Sequence, residues 1–332
     1  MAEVLTRELD EVLKGTSRSF FLSLKNLPKK IRSQISLLYL LARASDTIAD
    51  SNLGDPKECL ELLNSYNDYV QGRLNKTPDF STMANIQENQ YEKNLLQKIH
   101  AITSLMENFS ENDQFHIRRC LGIIISGQSS DLERFSLNKA NTVTALESND
   151  QLDEYAYRVA GSVGEFWTNI SLEHILRAGD EERTSLLDKS VRFGKALQLI
   201  NILRDIPADL KIGRSYIPSE NLSSHGLSPS DLMDYRNMEI FRPLYDQYLD
   251  LASEYLDSAA DYVSMLPFGE FRLRASCMLP IVIGRRTISL LRVHNVLNES
   301  DRIKVPRAEI RGITLRILAS LPLKGRSRAI LF

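Results

Sequence analysis

The chain has 332 residues, 43% of them hydrophobic and 25% charged, with a formal net charge of -2. This is the composition of a globular protein with a sizeable core, and the near-neutral balance gives no support to nucleic-acid binding. The three cysteines, Cys59, Cys120 and Cys277, are odd in number and widely spaced, which argues against a disulfide framework or a zinc site and fits a reducing, cytoplasmic setting.

Acidic residues stand where a signal peptide would carry a basic start and an apolar run. The apolar runs at 35–42 and 277–284 are far shorter than the roughly 20 residues needed to cross a bilayer. The expectation is a soluble protein that a substrate with long alkyl chains would bring to a membrane surface peripherally.

Helical periodicity runs from end to end, with no strand-type alternation and no Asn-Gly or Asp-Gly hairpin turn, so the sequence predicts an all-α fold. A first helix covers 3–14 and breaks at Gly15. Thr16 or Ser17 caps a second helix that runs through Phe20 to Leu24. Pro28 starts a long helix, which ends at 51–56, where a further helix begins and runs to about Leu74. Residues 75–88 have the poorest helical pattern and read as a long exposed loop. Helices then follow at about 89–108, 111–134, 151–178 and 181–209. After a turn at Gly213 they continue at 229–235, 239–264, 268–297 and 306–320. Without repeats or low-complexity tracts, one helical domain over 1–332 is the economical reading.

Two polar rows stand out within these helices. Gln198, Asn201, Asp205 and Asp209 are spaced three, four and four apart, so a helix aligns them on one face amid Leu199, Ile200, Ile202, Leu203 and Ile206. Tyr39, Arg43, Asp46 and Asp50 follow the same kind of spacing upstream. An Asp-x-x-x-Asp pair repels itself on an isolated helix, so a cation is the natural compensation. With Arg43, Arg204 and Arg214 nearby, the two rows together suggest magnesium and diphosphate binding, although either row alone reads more readily as a solvated helix face. Pro207 falls between Asp205 and Asp209 and is expected to bend or end its helix, which leaves Asp209 the less secure ligand.

Other segments remain open between two readings. Ser17, Arg18, Ser19 and Phe20 mark either a plain helix cap or an anion site at a helix start. Tyr155, Tyr157, Val159, Ala160, Gly161 and Gly164 place small residues along one side of a helix, for close packing or for space beside a ligand. The polar stretch from Gly127 to Asp131 and the Arg272 and Arg274 pair are either surface or site. The five histidines show no metal-type spacing.

Taken together, Ser17-Arg18-Ser19-Phe20, the Tyr39 to Asp50 row, the Tyr155 to Gly164 segment and the Gln198 to Asp209 row leading into Arg214, Tyr216 and Pro218 resemble the squalene and phytoene synthases, head-to-head prenyl diphosphate synthases. The resemblance spans about residues 15–290. It implies a single-domain isoprenoid synthase bundle around a central hydrophobic channel, with the two aspartate rows facing each other at its mouth.

By position, Asp46, Asp50, Asn201, Asp205 and Asp209 look like Mg²⁺ ligands. Ser17, Ser19, Arg43, Gln198, Arg204 and Arg214 look like diphosphate contacts, with Arg18, Phe20 and Tyr216 beside them on the substrate. Tyr39 and Tyr155, with Arg43 and Arg204, are implied in catalysis, and Val159, Ala160 and Gly161 in the channel wall.

Thr47 after Asp46 resembles squalene synthases, as do Lys304 and Arg307, which match a basic segment placed near NADPH; two solvated charges on a loop explain those two equally. Ser51 and the missing C-terminal anchor depart from eukaryotic squalene synthases, so a bacterial one fits best. The implied reaction joins two farnesyl diphosphates to presqualene diphosphate and reduces it with NADPH to squalene. Dehydrosqualene or phytoene synthesis, release of presqualene diphosphate, and a non-catalytic scaffold are the alternatives.

Overall fold

The structure is a computed structural model that describes residues 12–15, 24, 26–50, 56–135, 142–301 and 303–332. The fold is all-α, as the periodicity predicts. The chain divides into two compact units.

The first unit comprises residues 1–136 and 166–177. Its described helices are α1 (Lys29–Ala49), α2 (Pro56–Val70), α3 (Ser81–Ile86), α4 (Gln90–Gln97), α5 (Ile99–Ser104) and α6 (Glu111–Phe135), joined by part of α8 (Ser162–His174). Helix α1 packs against α2 and α6, burying Ile31, Leu37, Leu40, Leu41, Ala44 and Ile48. So much of α1 is buried that only a narrow stripe stays open toward its C-terminal end: Tyr39, Ala42, Arg43, Asp46 and Ala49, continued by the cap residue Asp50. That stripe is the polar row read from the sequence.

The expected loop over 75–88 is in part a helix. Asp79 accepts the Ser81 N–H at 2.8 Å and starts α3, which buries Met83 and Ala84 behind Phe80. Six residues are too few for periodicity to stand out among Pro78, Asp79 and Ser81. The single helix expected over 89–108 is likewise α4, α5 and a 3₁₀ turn (Leu105–Asn108).

The second unit comprises residues 137–165 and 178–332. It contains α7 (Asn149–Ala156), a π-helical turn (Tyr157–Gly161), the start of α8, α9 (Asp180–Lys211), α10 (Ser219–Ser224), α11 (Met238–Met265), α12 (Phe271–Val293), α13 (Arg307–Ser320) and α14 (Lys324–Leu331). Helix α9 packs along α11, α11 on α12, and α13 and α14 close over α12. Tyr245, Phe241 and Tyr262 of α11 are among the largest fully buried side chains.

Two short strands depart from the strand-free expectation. β1 (Thr144–Ala145) pairs in parallel with β2 (Arg214–Ser215), Thr144 opposite Arg214. Two residues per strand leave no alternation to read. The helix expected over 151–178 is broken by the π-helical turn, and α9 runs on through Pro207 to Lys211 where an end was one expectation.

Candidate active site

In the first unit the site residues lie at the end of α1. Asp46 is in its last turn and Asp50 is the C-cap residue, whose N–H bonds the Asp46 carbonyl at 2.8 Å. A helix C-terminus carries partial negative charge, and this last turn holds no basic residue to offset it. Two carboxylates there are unfavourable until a cation arrives.

The Asp46 side chain keeps 44% exposure, so its open edge can be reached from solvent. Restricted hydration among the packed helices and the neighbouring Asp50 carboxylate push its carboxyl up to about 7, against the pull of Arg43 at 3.9 Å and of Gln128. Gln128 Nε2 of α6 donates to Asp46 Oδ1 at 2.5 Å. Arg43 donates to Glu92 of α4. Tyr39 is half-buried on the same stripe.

Glu92 and Gln128 are therefore neighbours of the row that the sequence reading did not assign. Asn89 and Glu92 have the spacing of a helix cap, and Asn89 does accept the Tyr91 N–H at 3.0 Å, so a local role hid the long-range one. Gln128 lay in the polar stretch left open between surface and site; it is buried and bound to Asp46.

In the second unit α9 carries the other row, again close to a helix C-terminus. Arg204 clamps its neighbour Asp205 with a two-pronged bond, Nε to Oδ1 at 2.8 Å and Nη2 to Oδ2 at 2.5 Å, which raises the arginine above its ordinary pKa. The Asp205 side chain is still 46% exposed. Gln198 and Asp209 are half-buried and Asn201 is exposed. The helix ends at Lys211, and just beyond it Gly213, with a φ of +75°, lets the chain turn into β2.

The β1–β2 clip then fixes the next residues. Arg214 stays half-buried there, while Ser215 and the following Tyr216 are both buried. The Tyr216 ring stacks on Tyr155 of α7 with centroids 4.6 Å apart and planes 19° from parallel. Two tyrosines far apart in sequence thus form one aromatic platform.

Directly after Tyr155 the backbone widens into the π-helical turn that carries Val159, Ala160 and Gly161; such turns concentrate at functional sites. Tyr157 donates to Glu165 across it at 3.0 Å. The small residues beside it serve close packing. A Cβ on Gly194 of α9 would lie 2.1 Å from the Ala160 carbonyl oxygen, and one on Gly164 would lie 2.0 Å from that of Ser190. Val159 and Ala160 are partly exposed and Gly161 is buried.

A sequence model of the family described as squalene/phytoene synthase matches residues 13–309. The chain belongs to the squalene/phytoene synthase family. Among its relatives, a bifunctional lycopene cyclase/phytoene synthase of Gibberella fujikuroi is 26% identical over 305 residues, which is 89% of this chain and 49% of the relative. The chain spans about half the length of the curated relatives it matches.

Of the solved structures, a complex of TcSQS with the ligand E5700 superposes with a TM-score of 0.75 at 19% identity, covering 98% of this chain and 95% of that one. A dehydrosqualene synthase in complex with ligand gives 0.64 at 19% identity, covering 96% of each chain. At these identities the likeness is one of fold.

Within this family frame, the remaining assignments divide. Ser17, Arg18, Ser19 and Phe20 lie outside the described residues. Lys304 is exposed between buried Ile303 and Val305, and exposed Arg307 opens α13. They are three residues apart. No cluster of three or more histidine, cysteine or acidic side chains is poised for a metal among the described residues. Each row instead offers two acids at helical spacing, a hard oxygen set of the kind that holds Mg²⁺ together with water and phosphate oxygens.

Proposed function

We propose that this protein joins two farnesyl diphosphates head to head into presqualene diphosphate and reduces that product to squalene with NADPH. The observation that carries the prenyl-transfer half is the repeated device of two helix C-termini, each bearing an Asp-x-x-x-Asp row with a partly open carboxylate and an arginine beside it. At the α1 row this arrangement is unfavourable in itself and favourable once Mg²⁺ and diphosphate bind, which also speaks against a purely structural scaffold.

In this reading Asp46, Asp50, Asn201, Asp205 and Asp209 hold Mg²⁺, which supplies charge neutralisation to the departing diphosphate. Arg43, Arg204, Arg214 and Gln198 bind diphosphate oxygens, with Ser17 and Ser19 assigned there by resemblance. Arg204 has to exchange part of its grip on Asp205 for phosphate as substrate enters. Gln128 and Glu92 hold Asp46 and Arg43 in place.

The Tyr155 hydroxyl and Tyr39 act at the diphosphate or on a proton near it, while the stacked Tyr155 and Tyr216 rings present π-faces to an allylic cation. Val159, Ala160 and Gly161 line an apolar channel, with Arg18 and Phe20 at the substrate, and exclusion of water there protects the cation. A long apolar product gives the protein a use for a membrane surface.

A second reading ends without hydride transfer, at dehydrosqualene, phytoene or presqualene diphosphate. It is favoured by the solvent-exposed placement of Lys304 and Arg307, which fit a nucleotide phosphate by charge alone. Mass spectrometry of the products from farnesyl diphosphate and Mg²⁺, with and without NADPH, separates the two. Conversion to squalene only with NADPH supports the first reading; an unchanged product supports the second. No prenyl product from farnesyl diphosphate under either condition would sink every 30-carbon reading, and phytoene, with 40 carbons, is tested in the same assay with a 20-carbon prenyl diphosphate.

A further inference from the structure

The last 23 residues of the chain, from Ile310 to Phe332, contain Arg311, Arg316, Lys324, Arg326 and Arg328 and no Asp or Glu, in a protein whose net charge is -2. They form most of α13 and all of α14. Helix α13 has two apolar stripes. Ile313, Ile317 and Ser320 are buried on one side, beside α12.

At 100° per residue, Arg311, Leu315 and Leu318 align on the opposite side. There Leu315 is 69% and Leu318 51% exposed beside the exposed Arg311, while the exposed Arg316 lies about 100° round the helix from Leu315, on the flank of that face. Glu309, the one acid of α13, points elsewhere and pairs with Arg286 at 2.6 Å.

Helix α14 extends the same character. It is anchored by Leu331 and by Ser327, which accepts from the buried Arg274 Nη2 at 3.0 Å. Its outer side exposes Arg326 and Arg328, while Leu323 and Phe332 at its ends are 46% and 59% exposed. The Arg328 guanidinium lies 5.8 Å from the Phe332 ring centre. No described helix of the chain is long and apolar enough to cross a membrane, so a bilayer would meet this face from outside.

We propose that the outer face of α13 and α14 docks on an anionic lipid bilayer, with Leu315, Leu318, Leu323 and Phe332 entering the headgroup boundary and the arginines pairing with lipid phosphates. Charge complementarity selects this occupant. A segment that exposes apolar side chains among arginines and carries no acid of its own suits a negative surface with an oily interior, as interfacial amphipathic helices do. A protein partner with an ordinary mixed surface would leave unmatched cations. The proposal stands on exposure and charge alone and does not depend on prenyl transfer.

The test is co-sedimentation of the full chain with vesicles of phosphatidylcholine and phosphatidylglycerol, and with pure phosphatidylcholine, at low and high salt. The expected result is binding to the anionic vesicles that weakens at least about tenfold in high salt or without phosphatidylglycerol. Leu315→Glu with Leu318→Glu should abolish it, and Arg311→Glu with Arg316→Glu should weaken it about tenfold or more. Arg316→Lys should preserve it.

Both leucines are on the solvent side, and unchanged circular dichroism and melting temperature confirm that the variants fold. Absence of binding at low salt, or binding equal in parent and leucine variant, overturns the proposal. So does a concentration-dependent dimer, seen by analytical ultracentrifugation, that the leucine variant dissolves, because a second copy then owns the face.

Discussion

The Tyr245 hydroxyl donates to the Leu203 carbonyl at 3.1 Å, and Leu203 is the residue whose helical partner would have been the N–H of position 207. Position 207 is proline, which has none. A fully buried tyrosine of α11 thus supplies the missing bond two residues before Asp205, and α9 continues to Asp209 and beyond. Tyr245→Phe should cost about 1–3 kcal/mol, the usual consequence of leaving a buried acceptor unpaired. Pro207→Ala restores the backbone donor, so the same tyrosine change in that background should cost clearly less. Urea unfolding of the four proteins measures the difference, and an equal cost in both backgrounds would show that the bond does not compensate for the proline.

Close backbone approach accounts for a second expectation. Gly194→Ala and Gly164→Ala each force a Cβ into a carbonyl oxygen of the facing segment, where no flexible side chain can yield. Each should lose roughly 1–3 kcal/mol or more. Gly179→Ala, with nothing within 4 Å of the added atom, should be near neutral in the same melting experiment. A neutral Gly194→Ala would mean that α9 and the π-helical turn are less tightly joined than they stand here.

Much of this was legible in the sequence, and the physics of spacing says why. Tyr39, Arg43, Asp46 and Asp50 form the open stripe of α1 because helical periodicity alone determines which side chains share a face. The Arg204 clamp on Asp205 joins adjacent residues, a relation that a one-face reading of the helix passes over. Partners on other elements were out of reach. Glu92, Gln128 and Tyr245 find their roles only through tertiary packing, and Tyr155 meets Tyr216 only because a two-residue strand pair fixes the chain after Gly213. The π-helical turn leaves no mark in the apolar pattern, since one widened turn shifts the phase of a helix without changing its composition.

Asp46 links stability to function. Its native carboxyl titrates near 7, well above the ordinary carboxylate value, so the folded metal-free protein holds a proton that the unfolded chain has already released. The sign follows: this group destabilises the native state increasingly as pH rises from the ordinary value toward 7, and fully above it. Asp46→Asn removes the penalty. The variant should melt higher than the parent at about pH 8 in EDTA, with the gain shrinking as pH falls toward about 4. Its prenyl-transfer rate should meanwhile fall by several orders of magnitude, since charge stabilisation of a leaving group is a dominant catalytic contribution. Activity within about tenfold of the parent at saturating Mg²⁺ would remove Asp46 from the metal site.

For the aromatic platform, Tyr155→Phe keeps the stack on Tyr216 and removes only the hydroxyl, whereas Tyr216→Leu removes the ring. The first should fold and bind substrate normally yet form presqualene diphosphate more slowly, by roughly 10²-fold or more if the hydroxyl moves a proton. The second should weaken binding and turnover together. Single-turnover assays distinguish them, and an unchanged rate in Tyr155→Phe would leave that residue a packing role.

Hydride transfer is the step on which the two functional readings part. Lys304 stands out from a segment pinned by the buried Ile303 and Val305, and Arg307 opens α13, so both cations project from an ordered base into solvent. A helix start favours anions and here carries a cation at its first position, an arrangement that a bound phosphate would improve. If these residues hold NADPH, Lys304→Ala with Arg307→Ala should raise the NADPH concentration needed for squalene formation by about tenfold or more, consistent with losing two charge-assisted bonds. Formation of presqualene diphosphate should be unaffected, because neither residue belongs to the aspartate rows. The measurement is the squalene to presqualene diphosphate ratio as NADPH is varied at fixed Mg²⁺ and farnesyl diphosphate. A ratio that responds to NADPH identically in parent and variant places the nucleotide elsewhere; a ratio that never responds rules out the reductive half of the proposed reaction.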